Sequence, residues 1–334
     1  MHTGRRYSPY EFFRWTLRDT LLLLCIATVP TVLYVMGFHF IALPWPPIAI
    51  LGTALAFIVG FKNNASYGRI WEARQIYGAI INGSRSFGYT LRDALGKESA
   101  VVKKMFYRHF AWLTALRFQL REPRSWENMR RSSNRQYKKG RYIVPEWETK
   151  AEDELGKYLP ADELQYILSK KNRATQLIAL QSETLAELKQ SDVINDFQWK
   201  ELQDGIIKLT DNQGKAERIK NFPYPRNFGS VATYLMFIFV TLLPFGLLKE
   251  CSKIGDGTLL EGYTIWFNIP FSAIVAWVFH VLDTIGESSV NPFEGSANDV
   301  PVTQISRTIE IDMRDMLDET ALPEPIVAQH NIVL

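Results

Sequence analysis

A chain of 334 residues, 47% hydrophobic and 13% aromatic with a net charge of +3, is neither a disordered chain nor a strongly basic nucleic-acid binder. Its mean hydropathy of -0.09 averages a charged part with an apolar part, since the apolar residues concentrate in four uncharged runs. Four such runs are hard to bury in a soluble protein of this size.

Arg5, Arg6, Arg14 and Arg18 precede the first run, Leu21–Phe40, and no convincing small-residue cleavage site follows it, so a cleavable signal is not expected. The second run, Pro47–Phe61, falls short of the roughly 20 residues a crossing needs unless it borrows from its flanks. Its sequence continues without proline into Lys62, Asn63 and Asn64, so one helix is predicted to leave an apolar solvent and carry on into polar surroundings. On a helix, Thr53, Phe57 and Phe61 share one face, and Gly52, Ala56 and Gly60 share the adjoining one. Small residues let helices approach closely in a membrane. Periodicity alone favours Phe57 and Phe61 facing lipid or a bundle core; the polar continuation favours a helix lining an aqueous path, with the small stripe against a neighbouring subunit.

Gln75–Leu120 and Glu163–Leu209 carry helical spacing, as in Phe106, Phe110, Leu113, Leu116 and in Leu177, Leu180, Thr184, Leu188. Between them, residues 121–150 are basic, polar and proline-containing, and read as a connection. That charge reads as solvated surface, with anionic lipid or nucleic acid as lesser alternatives. The third and fourth runs are Phe228–Leu248 and Tyr263–Leu282, the latter with a break at Asn268-Ile269-Pro270. His280 and Asp283 read as residues at the cytoplasmic boundary of the fourth run that pair or meet water, with an ion or proton site as the alternative. Trp45, Trp266 and Trp277 suit interfacial anchors or packing. Lysine and arginine flank the runs so that both termini and the long middle segment are expected in the cytoplasm. On that topology the triplets beginning at Asn64 and Asn82 match the glycosylation pattern by chance. Cys25 and Cys251 suggest neither a bridge nor a metal site, and no catalytic motif is present, so no enzyme, cofactor or metal is expected.

Three long stretches carry a family resemblance: GFKNNASYGRIWEARQIYGAIINGSR (Gly60–Arg85), LTDNQGKAERIKNFPYP (Leu209–Pro225) and SSVNPFEGSANDVPVTQISRTIEIDMRDML (Ser288–Leu317), with ALRFQLRE (Ala115–Glu122) as a weaker one. Together they resemble the bestrophin family in its bacterial branch. The resemblance implies an all-α membrane protein assembled as a homopentameric ring, with four transmembrane helices and a large cytosolic helical domain per subunit. The expected division is 1–19 cytosolic, 20–61 transmembrane helices 1 and 2, 62–226 cytosolic helices, 227–285 transmembrane helices 3 and 4, and 286–334 cytosolic, in a bacterial inner membrane.

The family's hydrophobic neck matches Thr53, Phe57 and Phe61, where relatives often carry a larger aliphatic residue in place of Thr53. Its cytosolic constriction aligns with Phe197, with Ile194 as the fallback. Animal members bind activating calcium in a run of acidic residues after Asn-Pro-Phe. Here Glu294–Asp299 offers two carboxylates where calcium wants roughly six to eight oxygen ligands, so no calcium clasp is expected. The implied function is passive conduction of small monovalent ions, slightly favouring anions such as chloride. Its partners would be copies of itself, membrane lipid and the permeant ions, with no nucleic acid. A sodium-type cation channel of the same fold, a coupled transporter and a membrane-tethered scaffold are the alternatives.

Overall fold

The computed structural model describes residues 1–130, 132–257 and 259–334. They form twelve α-helices: α1 (Pro9–Val35), α2 (Trp45–Leu95), α3 (Ala100–Arg121), α4 (Ser132–Lys138), α5 (Pro145–Glu148), α6 (Ala151–Leu155), α7 (Ala161–Leu168), α8 (Arg173–Gln190), α9 (Asp196–Asn221), α10 (Arg226–Lys253), α11 (Asn268–Ser288) and α12 (Val302–Asp315). No strand occurs among the described residues, which contain only isolated bridges such as His2 with Ile332. The chain is an all-α protein. Residues 121–150, read from the sequence as a connection, contain short helices rather than irregular chain alone.

Two compact units emerge from the packing, one comprising Gly4–Gly68 and Pro223–Val290, the other Met1–Thr3, Arg69–Phe222 and Asn291–Leu334. The first unit holds α1, the start of α2, α10 and α11, and four helices of the chain are long and apolar enough to cross a membrane. Helix α2 is continuous over 51 residues, so the short second run gains its length from both flanks. The first run ends earlier than its apolar character suggests, because α1 stops at Val35 and Phe38 caps a 3₁₀ turn at His39–Ile41. Ser8 caps α1 in a capping box with Glu11, and Pro9 sits at the first turn, where its missing N–H costs nothing. The core of this unit joins Leu23, Ile48, Leu55, Val59, Phe239, Val240, Leu243 and Ala276. The break at Asn268 is the start of α11 rather than an interruption within it. The buried Asn268 amide donates to Thr31 Oγ1 at 2.9 Å and to the Pro244 carbonyl at 3.1 Å.

The second unit is built around α3, whose residues Phe106, Phe110, Leu113 and Leu116 are all buried, as their spacing predicts. The buried line on α8 is Leu177, Gln181, Leu185 and Leu188 rather than the line through Leu180 and Thr184. The two lines lie side by side on the helix, and Gln181 conceals the buried one in the sequence. Charges inside this unit are paired. Arg108 grips Glu163 through Nε at 2.6 Å and Nη2 at 2.9 Å, and Arg117 meets Glu146 at 2.5 Å and Glu154 at 3.0 Å. The bidentate Arg108–Glu163 pair tolerates burial because both carboxylate oxygens meet a guanidinium donor.

Candidate functional site

In the first unit, α2 presents two different faces. Leu55 and Val59 are buried, while Phe57 is 64% exposed and Phe61 70% exposed, with Thr53 exposed beside them. The side chains of one helix thus split into a packed face and an open apolar face, and the three residues singled out from the sequence share the open one. Thr53 satisfies its hydroxyl locally by donating to the Ala49 carbonyl at 3.0 Å.

The small-residue stripe does not hold together. Gly52 is buried inside the unit, and a Cβ there would lie 2.8 Å from Phe239 Cε2 of α10. Ala56 and Gly60 are exposed, and a Cβ on Gly60 meets nothing within 4 Å. Gly52 therefore serves packing within the chain. The reason is the neighbour: Phe239 of α10 covers the turn that carries Gly52, and nothing among the described residues covers Gly60 two turns on. Gly52→Leu is expected to destabilise the chain by about 1–3 kcal/mol through overpacking against Phe239. Gly60→Leu is expected to leave the chain's own fold intact while weakening self-association. Thermal unfolding and native mass measurement on both variants separate the two effects, and an unchanged oligomer in Gly60→Leu excludes Gly60 from a subunit contact.

Directly after Phe61 comes a buried ion pair. Lys62 Nζ lies 2.7 Å from Asp283 Oδ1 and 3.4 Å from Glu287 Oε1, both on α11. Asn63 approaches the same helix so closely that a Cβ on Gly286 would collide with its side-chain oxygen. His280 does not pair with Asp283, as its spacing suggested, but lies 3.2 Å from Asp19 Oδ2 of α1. Three positions apart on α11 the two side chains point to different neighbours. Lys62 was not singled out from the sequence. The signal was there, a lysine abutting one apolar run and an aspartate abutting another, but their pairing joins residues 221 apart in sequence.

In the second unit Phe197 is 87% exposed on the first turn of α9, whereas Ile194 is 2% exposed within the core. Of the two, Phe197 is the one with a side chain open to its surroundings. Asn195 caps α9 in a capping box with Gln198, which places Ile194 just before the cap and Trp199 at the fourth helical position. Those are the two positions of a hydrophobic staple, and both residues belong to one apolar cluster.

A family model described as bacterial/fungal bestrophin protein matches residues 13–315. The chain belongs to the bestrophin family. This bestrophin is 27% identical over 289 residues to the voltage-dependent anion channel-forming protein YneE of Escherichia coli (strain K12), across 86% of this chain and 82% of that relative. It is 26% identical over 314 residues to the voltage-dependent anion channel-forming protein RSc3414 of Ralstonia nicotianae, across 92% and 89% of the two chains. Its fold matches the crystal structure of a bacterial bestrophin homolog from Klebsiella pneumoniae with a TM-score of 0.76 at 22% identity, over 91% of this chain and 99% of that one.

The bestrophin's Asn291–Asp299 loop is tied down by its own hydrogen bonds. Asp299 accepts from Arg121 Nη1 at 2.9 Å, from the Gly295 N–H at 2.7 Å and from Ser296 Oγ. Glu294 Oε2 accepts from the Asn128 N–H at 2.8 Å and from Asn291 Nδ2 at 3.1 Å. Phe293 is buried, with its ring 5.7 Å from that of Tyr77. Gly295 sits at φ +89, where a side chain would also crowd Trp147 at 3.3 Å. Arg121 already compensates Asp299, so the loop offers little free charge to a calcium ion. Conductance is expected to be unchanged when calcium is chelated and then restored; a large reversible rise on restoring it would contradict this.

Burial, with the Asp299 charge nearby, raises the Glu294 pKa to about 8. A carboxyl whose folded pKa is raised stabilises the fold fully below its unfolded value, and that contribution is lost as pH rises towards about 8. Glu294→Gln is therefore expected to raise the unfolding midpoint at pH 8 or above relative to the parent, and to change it little near pH 4. Melting curves across that range check the sign.

Proposed function

We propose that this bestrophin is a passive ion channel of the cell membrane, formed by five copies of the chain and favouring small anions. The observation that carries the reading is the open face of α2, with Thr53, Phe57 and Phe61 turned away from the packed interior. A helix whose opposite face is locked by Leu55, Val59 and the Lys62–Asp283 pair is suited to holding an apolar ring around a pore. Five copies of Phe57 and Phe61 would form a hydrophobic neck that resists wetting when narrow and conducts when it dilates. Phenyl edges carry partial positive charge, so edges turned to the axis would tolerate an anion. The names of the Escherichia coli and Ralstonia relatives support the anion preference.

Phe197, exposed on α9, is proposed as the second constriction. Phe197→Ala is expected to increase the flux of large ions more than that of small ones. We place the chain in a bacterial inner membrane with both termini cytoplasmic, from the distribution of lysine and arginine. The deciding experiment is ion-replacement flux through purified protein in liposomes. Electrogenic, uncoupled flux that follows chloride supports the reading. Coupling to a second ion indicates a transporter, a sodium-following reversal potential indicates a cation channel, and silence indicates a scaffold.

A further inference from the structure

The basic stretch after α3 has no part in the proposed pore, yet it folds around a cavity of about 570 Å³, within the size range of small-molecule sites of about 300–1,000 Å³. Its apolar lining includes Met129, Ile143 and Trp147. Trp147 is fixed in place, donating through Nε1 to the Arg121 carbonyl at 3.0 Å. Tyr142 is anchored as well, its hydroxyl donating to the Gly295 carbonyl at 3.2 Å. The remaining lining is cationic. Lys138 Nζ lies 4.3 Å from the centroid of the Trp147 ring, which sets a positive charge beside an aromatic face. Burial lowers the pKa of this ammonium, with Glu148 opposing the shift, so the charge is partly desolvated. Arg124, Arg135 and Lys139 add three more cations. Against these, the described lining holds two carboxylates. Glu127 is already engaged by Lys220 and by the Arg124 N–H, and Glu122, outside the lining, pairs with Arg124 at 3.2 Å, which leaves exposed Glu148 as the remaining carboxylate of the lining. The guanidinium of Arg124 engages Glu122 and Asn221 Oδ1 through Nη2, each at 3.2 Å, but its buried Nε has no hydrogen-bond partner, a donor that an acidic ligand would satisfy.

A merely solvated basic surface explains the charges but not their gathering around an apolar, aromatic-walled hollow. We propose that this cavity binds an organic anion that combines one acidic group with a flat apolar or aromatic body. The body would lie against Trp147 and Met129, and the acidic group would meet Lys138 and Arg124. Neither half of such a ligand suffices. A small inorganic anion leaves the apolar lining wet, and a neutral aromatic leaves the cations without a counter-charge.

The test uses 1-naphthyl phosphate as probe and the full chain in detergent, with protein-free micelles measuring non-saturable partition. Equilibrium dialysis is expected to show saturable binding of one probe per chain. Inorganic phosphate and 1-naphthol, tried separately as competitors, are each expected to be at least about tenfold weaker. Lys138→Gln with Lys139→Gln is expected to weaken the probe about tenfold, and Lys138→Arg to restore it. A second measurement needs no variant: the probe is expected to protect Lys138 from acetylation by acetic anhydride in the parent chain, read by mass spectrometry. Absence of saturable binding, competition by inorganic phosphate as strong as by the probe, or unprotected Lys138 would each overturn the proposal.

Discussion

Phe57→Ala is expected to raise single-channel conductance several-fold and to shift the reversal potential in asymmetric salt. Five truncated rings would widen the neck and remove the aromatic quadrupole from the axis. The main competing role for Phe57 is packing inside the chain. Truncating a buried phenylalanine costs about 3–5 kcal/mol and lowers the yield of folded protein. With 64% of its surface exposed in the chain, Phe57 has few internal contacts to lose, so the variant should fold with a nearly unchanged melting midpoint. A lipid-facing Phe57 makes a third forecast, unchanged stability with unchanged conductance and selectivity. Recordings together with melting curves therefore separate pore, core and lipid. Normal assembly with the parent's conductance and reversal potential would remove Phe57 from the pore. Thr53→Ala should have a smaller effect, because its hydroxyl is already small and wettable.

Asp283→Ala is expected to be the most destabilising of the changes considered. Lys62 and Asp283 are almost wholly buried, with side chains 3% and 4% exposed. Removing the acid leaves a buried ammonium with Glu287 at 3.4 Å as its remaining partner. Breaking a buried pair from one side costs about 3–5 kcal/mol, since the surviving charge has lost its compensation. The companion variant Lys62→Met with Asp283→Leu takes away both charges and should recover most of that loss, because the two desolvation costs disappear together. A double-mutant cycle on the unfolding midpoint measures the coupling. Because Lys62 follows Phe61 directly, loss of the tie to α11 should also loosen the turn of α2 that carries Phe61 and raise background flux. If Asp283→Ala melts within experimental error of the parent, the pair contributes nothing to holding α2 in place.

Much of this protein is determined by local chemistry and so is legible along the chain. The four apolar runs predict helices able to cross a membrane, since a backbone in lipid must satisfy its own hydrogen bonds. The absence of proline after Phe61 predicts a single helix carrying on into polar residues, and α2 runs unbroken to Leu95. The buried positions Phe106, Phe110, Leu113 and Leu116 follow from helical spacing alone. The family, too, is written in short contiguous motifs.

Other features depend on which neighbour a side chain meets, and no periodicity contains that information. Gly52 and Gly60 look alike on one stripe, yet Phe239 of a distant helix covers the first and leaves the second open. Ile194 and Phe197 are equally apolar and three residues apart, but the cap at Asn195 turns one into the core and the other out. His280 and Asp283 share a helix turn and part company, because Asp19 and Lys62 stand on different sides of α11. The cavity beside Trp147 likewise forms where residues of a seemingly loose basic stretch close around one indole. Local spacing settles which face of a helix is apolar; long-range packing alone settles whether that face is covered, because burial is a property of the partner as much as of the residue.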